Sequence, residues 1–124
     1  MSTRAYRSSR GPSQRQLRAG ELIRHELAQM VQREEVHEAA LTGRNVTVTE
    51  VTTSPDLKHA TVFITTLGGH NVPETVEALQ SVSPKIRGVL GRKLTMKFVP
   101  QLSFEQDQSF DRADRITQLL NGNS

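Results

Sequence analysis

A chain of 124 residues holds one ordinary domain and a tail, and is too short for two catalytic domains. It contains no Cys, which excludes disulfides, thiolate zinc sites and cysteine nucleophiles and fits a reducing, cytoplasmic compartment. No run approaches the roughly 18 to 20 apolar residues of a membrane span, and no apolar core follows the first arginines, so neither an anchor nor a secretory signal is expected.

The net charge of +3 hides two basic blocks. Residues 1–24 carry six Arg and one Glu, and residues 81–104 carry five basic residues and no acid. Between them, residues 25–80 carry three basic and eight acidic residues. Residues 105–124 carry two Arg and four acids. Separated basic blocks that meet in a fold make a phosphate-binding face.

Residues 1–12 (MSTRAYRSSRGP) are dominated by Ser, Arg, Gly and Pro. They cannot bury enough apolar surface to offset their ordering entropy, and read as a flexible basic arm. Ser13 and Gln16 form a Ser-x-x-Gln helix start. Ala19, Ile23, Leu27 and Val31 then recur every four residues, with Met30 beside them, which predicts a helix to about Glu35. Residues 36–44 supply a connection, with Gly43 as a turn signal.

Residues 45–53 (NVTVTEVTT) predict a strand with Val46 and Val48 on one face. Val51 breaks the parity, which signals a bulge or a change of exposed face. Ser54, Pro55 and Asp56 form a turn, and residues 59–67 predict the second strand of an antiparallel hairpin, with Ala60, Val62 and Ile64 facing the core. Gly68 and Gly69 end it.

Val76 and Leu79 predict a helix over residues 73–81, started by Pro73. Pro84 interrupts it, and Ile86, Val89, Leu90 and Leu94 resume the pattern over residues 85–94. A sharp break therefore falls at Val82, Ser83 and Pro84. Residues 95–104 alternate at Met96, Phe98, Leu102 and Phe104 and predict a third strand, with Pro100 at an edge or bulge. Ser109 can cap a final helix carrying Ala113, Ile116, Leu119 and Leu120, and residues 121–124 should fray. The order α-β-β-α-α-β predicts a two-layer α+β domain, a three-stranded sheet with helices packed on one face.

Chemistry-bearing patterns are scarce. His25, His37, His59 and His70 lie in different elements without ligand spacing and read as surface residues. There is no nucleophile elbow, phosphate loop or dinucleotide turn, so no catalytic residue, metal or cofactor is expected. Nucleic-acid binding has more support. Ser83, Pro84, Lys85 and Arg87 open the second helix of the broken pair, where unpaired N–H groups and the positive dipole end suit phosphate. Arg92, Lys93 and Lys97 follow, and Arg15, Arg18 and Arg24 join them if the first helix packs nearby.

Residues 86–94 match the I-x-G-x-x-G-x-x-I pattern of KH RNA-binding domains, whose G-x-x-G loop clamps single strands. Here Val89 and Leu90 fill the middle and continue the core stripe from Ile86 to Leu94. The match reads as coincidental.

Over residues 13–120 the chain resembles the bacterial ribosome-binding factor A family. The resemblance is carried by VTVTEVTTSPDLKHATVFITTLG (residues 46–68), RGVLGRKL (87–94) and KFVPQLSFEQDQSFDRADRI (97–116). In the last stretch Val99, Pro100, Leu102, Phe104, Asp107, Ser109, Arg115 and Ile116 fall at the family's spacing. The resemblance implies a type II KH-like fold with a helix kink at an A-x-G sequence in place of the G-x-x-G loop. At that place this chain has Val82, Ser83 and Pro84, departing at both outer residues, and Pro84 can still enforce the bend. The implied function is maturation of the small (30S) ribosomal subunit. Family members bind its 16S rRNA and support processing of the 5′ end without cutting RNA, and they are linked to growth in the cold. The implied partners are small-subunit rRNA, the subunit itself, ribosomal proteins and other assembly factors, met by a free monomer. The rival readings are a generic KH-type single-stranded module and a protein-interaction domain using the acidic block of residues 25–80.

Overall fold

The computed structural model describes residues 11–33 and 45–108. Residues 1–10 of the expected arm (1–12), the expected connection at 36–44 with His37, the final helix from Ser109 and the C-terminal residues 121–124 lie outside the described residues. The order within them is α1 (Gln14–Gln32), β1 (Val46–Thr53), β2 (His59–Thr66), a 3-10 turn (Leu67–Gly69), α2 (Val72–Ser81), α3 (Ser83–Lys93) and β3 (Gln101–Gln106). This is the expected α-β-β-α-α-β order.

The Ser13 hydroxyl accepts from the Gln16 N–H at 3.1 Å, and the Gln16 side chain accepts from the Ser13 N–H at 2.9 Å. That reciprocal box starts α1 as predicted. The buried seam of α1 is Ala19, Gly20, Ile23, Leu27 and Met30, while Val31 is only half-buried.

Strand β1 pairs antiparallel with β2, and β2 pairs parallel with β3, giving the order β1-β2-β3. The register slips between Val48 and Glu50, so Thr49 is the extra residue of a bulge. Its hydroxyl donates to the Phe63 carbonyl at 3.2 Å. The slip turns both Val48 and Val51 into the core, which explains the broken parity. In β2, Ala60, Val62, Ile64 and Thr66 are buried in strict alternation. The helices cover this one face of the sheet, and Glu50, Thr52, His59 and Ser103 lie exposed on strand positions of opposite parity.

The third strand is shorter than residues 95–104 predicted. It begins only at Gln101, and Phe98 is exposed rather than facing the core. Pro100 has no N–H to give the ladder, and its ring is fully buried. The carbonyls of Val99 and Pro100 are taken by the Arg87 side chain of α3. Only past that point can regular pairing start, with His59 opposite Gln101.

Helix α2 runs into α3 with only Val82 between them. Val82 leaves helical geometry at φ −106° and ψ 13°. Its N–H still donates to the Leu79 carbonyl and its own carbonyl accepts from Ile86. The predicted bend is present, and Pro84 sits in the first turn of α3. Gly88 and Gly91 lie inside that continuous helix, and Leu90 is 0% exposed. The I-x-G-x-x-G pattern therefore forms no loop here.

Candidate nucleic-acid interface

Strand pairing fixes which basic residues can meet. Thr53 lies opposite Ala60 and Ala60 opposite Leu102, so the end of β1 and the beginnings of β2 and β3 share one end of the sheet. The first turn of α1 is tied to that end, because the Gln16 amide donates to the Thr53 carbonyl at 2.8 Å. The Gln101 N–H donates to the Lys58 carbonyl at 2.9 Å, which seats the β1–β2 turn there too. Segment 94–100, which carries Lys97, enters the sheet at the same end. Helices α1 and α3 also pack on one another. The two basic blocks thus converge, with exposed Arg15 and Arg18 on one side and exposed Arg92, Lys93 and Lys97 on the other.

Lys58 belongs to this basic end, and sequence reasoning missed it because it is one of only three basic residues in an acidic block. The turn that presents it is well braced. Asp56 accepts from the Ser54 hydroxyl at 2.7 Å and from the Lys58 N–H at 3.0 Å. These bonds, the Ser54 hydroxyl first, hold the Asp56 carboxyl below its ordinary range. The other sheet end is acidic by contrast, with Asp107 beyond β3 and Glu74 and Glu77 on α2.

The predicted basic residues differ in what else they bond. Arg24 pairs with Glu21 at 2.8 Å on the surface, which raises the arginine's affinity for its proton and lowers the Glu21 carboxyl. Arg87 is tied into the fold. It is half-buried, and its guanidinium donates to the Val99 carbonyl at 2.6 Å and to the Pro100 carbonyl at 2.9 Å. It fastens segment 94–100 to α3 rather than pointing outward. Arg87→Ala should therefore cost about 1 to 3 kcal/mol of folding stability, measured by urea unfolding. Arg87→Lys should recover little of it, because an ammonium lacks the rigid planar fork that sets Nε and Nη2 on two neighbouring carbonyls.

The helix start is also less suited to phosphate than the sequence suggested. Ser83 is half-buried and accepts weakly from the Gln80 amide at 3.5 Å. Pro84 has no N–H to offer, and the carbonyl end of α2 abuts the amide end of α3, so the two helix dipoles oppose each other there. What remains is side-chain charge. Lys85 and Arg92 are seven residues apart on one exposed helical face, with Gly88 between them.

Gln80 escaped sequence reasoning as well. It donates to the Leu102 carbonyl at 3.2 Å and accepts from the Phe104 N–H at 2.9 Å, clamping α2 to the edge of β3. Among the described residues, no cluster of His, Asp or Glu is placed to hold a metal ion, and no helix is long and apolar enough to cross a membrane.

Residues 15–120 match the family model described as ribosome-binding factor A. The chain belongs to the ribosome-binding factor A family. It is 49% identical over 119 residues to the ribosome-binding factor A of Phenylobacterium zucineum, covering 96% of this chain and 82% of that protein. It is 47% identical over 119 residues to that of Parvibaculum lavamentivorans, covering 96% and 85%. The crystal structure of ribosome-binding factor A from Thermus thermophilus superposes with a TM-score of 0.65 at 19% identity, over 76% of this chain and 97% of that one. A homology model of the Thermus factor, fitted into a cryo-electron-microscopy map of its complex with the 30S subunit, superposes with a TM-score of 0.57 at 21% identity, over 70% and 89%. The α+β, KH-like architecture of ribosome-binding factor A is thus the architecture of this chain, with the kink at Val82 to Pro84 where a KH clamp loop would stand.

Proposed function

We propose that this chain is a non-catalytic assembly factor that binds the immature small ribosomal subunit through its 16S rRNA. It supports late maturation and 5′-end processing by favouring one rRNA conformation over others, so binding energy does the work and no bond is made or broken by the protein. It acts in the cytoplasm, is monomeric when free, and meets ribosomal proteins and other assembly factors on the subunit. Residues 13–120 are the binding domain, and residues 1–12 are a basic arm that adds charge.

Family membership carries this reading, and the shared sheet end of Arg15, Arg18, Lys58, Arg92, Lys93 and Lys97, with Lys85 on the same face of α3 as Arg92, supports it. The expected result is co-sedimentation with small subunits that weakens steeply with salt. With four to six phosphate contacts, log K should fall with log salt at a slope of about −3 to −5. A chain that never sediments with subunits at low salt sinks the proposal. The generic single-stranded module predicts tight binding to short oligonucleotides through Gly88 to Gly91. The unbroken helix across those residues counts against it.

A further inference from the structure

The segment between α3 and β3 is fixed at one end and presents an exposed aromatic ring beside that anchor. Arg87 holds the carbonyls of Val99 and Pro100, and the Pro100 ring is fully buried. Val99 packs so close to α3 that a Cβ added at Gly91 would lie 3.2 Å from its methyl. Yet Phe98, the residue just before this anchor, is 68% exposed. A phenylalanine held in water on a braced backbone forgoes a large burial term that contact with a partner would recover.

The charges around the ring say what it suits. Lys97 Nζ stands 5.7 Å from the ring centroid, Arg92 and Lys93 end the helix that leads into the segment, and residues 81–104 contain no acid. A flat ring with an ammonium beside it, on a basic segment, is the pairing that holds single strands, with base on ring and phosphate on ammonium or guanidinium. A ring built to dock on protein would sit instead in an apolar patch with few charges.

We infer that Phe98 is a stacking platform for an unpaired base of the bound RNA. The inference rests on the RNA-binding reading above and adds a residue that the charge pattern does not indicate. It places a base beside Lys97, with the flanking phosphates toward Arg92 and Lys93.

The chain has no Trp, so Phe98→Trp installs a single fluorescent reporter where the base would lie. Naked small-subunit rRNA contributes no tryptophan signal and is the titrant. The indole emission of the Phe98→Trp variant should be quenched at saturation and return when salt releases the RNA, with affinity retained. Phe98→Ala and Phe98→Leu should each bind rRNA and small subunits about tenfold more weakly. Neither should change the salt slope, since no phosphate contact is removed. Circular dichroism should match the wild type, because the ring supports no core. Unmoved indole emission in a saturated complex, or Phe98→Leu binding as well as wild type, would overturn the stacking role while leaving the proposed function intact. Failure of the wild-type chain to bind both rRNA and subunits would remove both.

Discussion

Gly20→Ala should destabilise the domain by about 2 kcal/mol and lower Tm on the order of 10 °C. The cause is the close approach of α1 to the sheet at this glycine. A Cβ at residue 20 would stand 2.5 Å from the Val51 carbonyl oxygen, against an ordinary C···O contact of about 3.3 Å. The obstacle is backbone, so no rotamer change relieves it. The helix must lift from β1, and that would strain the Gln16–Thr53 bond one turn earlier and open the seam under Ile23. Alanine's better helix propensity returns up to about 1 kcal/mol, which is why the net loss is moderate. Gly88→Ala is the matched opposite. Nothing lies within 4 Å of a Cβ built there, so the same substitution should stabilise by about 0.5 to 1 kcal/mol. Urea unfolding of the two variants side by side measures both signs. Subunit binding by Gly88→Ala should stay at the wild-type level, whereas a working G-x-x-G clamp would lose it.

These two glycines also show what a single sequence can and cannot disclose. Gly20 and Gly88 each interrupt an amphipathic helix, and composition treats them alike. Only the bulge at Thr49, which brings the Val51 backbone under α1, separates them. Features whose causes are local were legible: the Ser13–Gln16 box, the parity slip at Val51, the break before Pro84, the core stripe through Leu90. Features that depend on a distant partner were not. Arg87 reads as one more cation in a basic run until the carbonyls of residues 99 and 100 come within its reach. The alternation at Met96 and Phe98 reads as strand because the capture of those carbonyls is invisible in sequence. Gln80, bonded across more than twenty residues to β3, carries no signal at all. The candidate site was thus legible as a charge balance. Which charges face outward was decided by packing.

That distinction sets the strongest test of function. A triple variant Lys85→Glu, Arg92→Glu, Lys97→Glu reverses three exposed charges that make no ion pair with another described residue. Surface changes of this kind shift stability little each, so the triple variant should unfold near the wild-type midpoint. Its affinity for small subunits should drop by about two orders of magnitude at moderate salt, and its salt slope should shrink by about three. Including Arg87 in the set would ruin the experiment, because lost binding would then follow from a loosened segment 94–100 as readily as from lost phosphate contacts. A second set, Arg15→Glu with Arg18→Glu, reads the other side of the same sheet end. If the two basic blocks act as one face, its loss should be smaller but should add to the first in log K, since the two sets share no partner. If only α3 touches RNA, the second set should bind as wild type. Full binding by the folded triple variant would mean that the acidic block or another surface holds the subunit, and the phosphate-binding account of this chain would have to be abandoned.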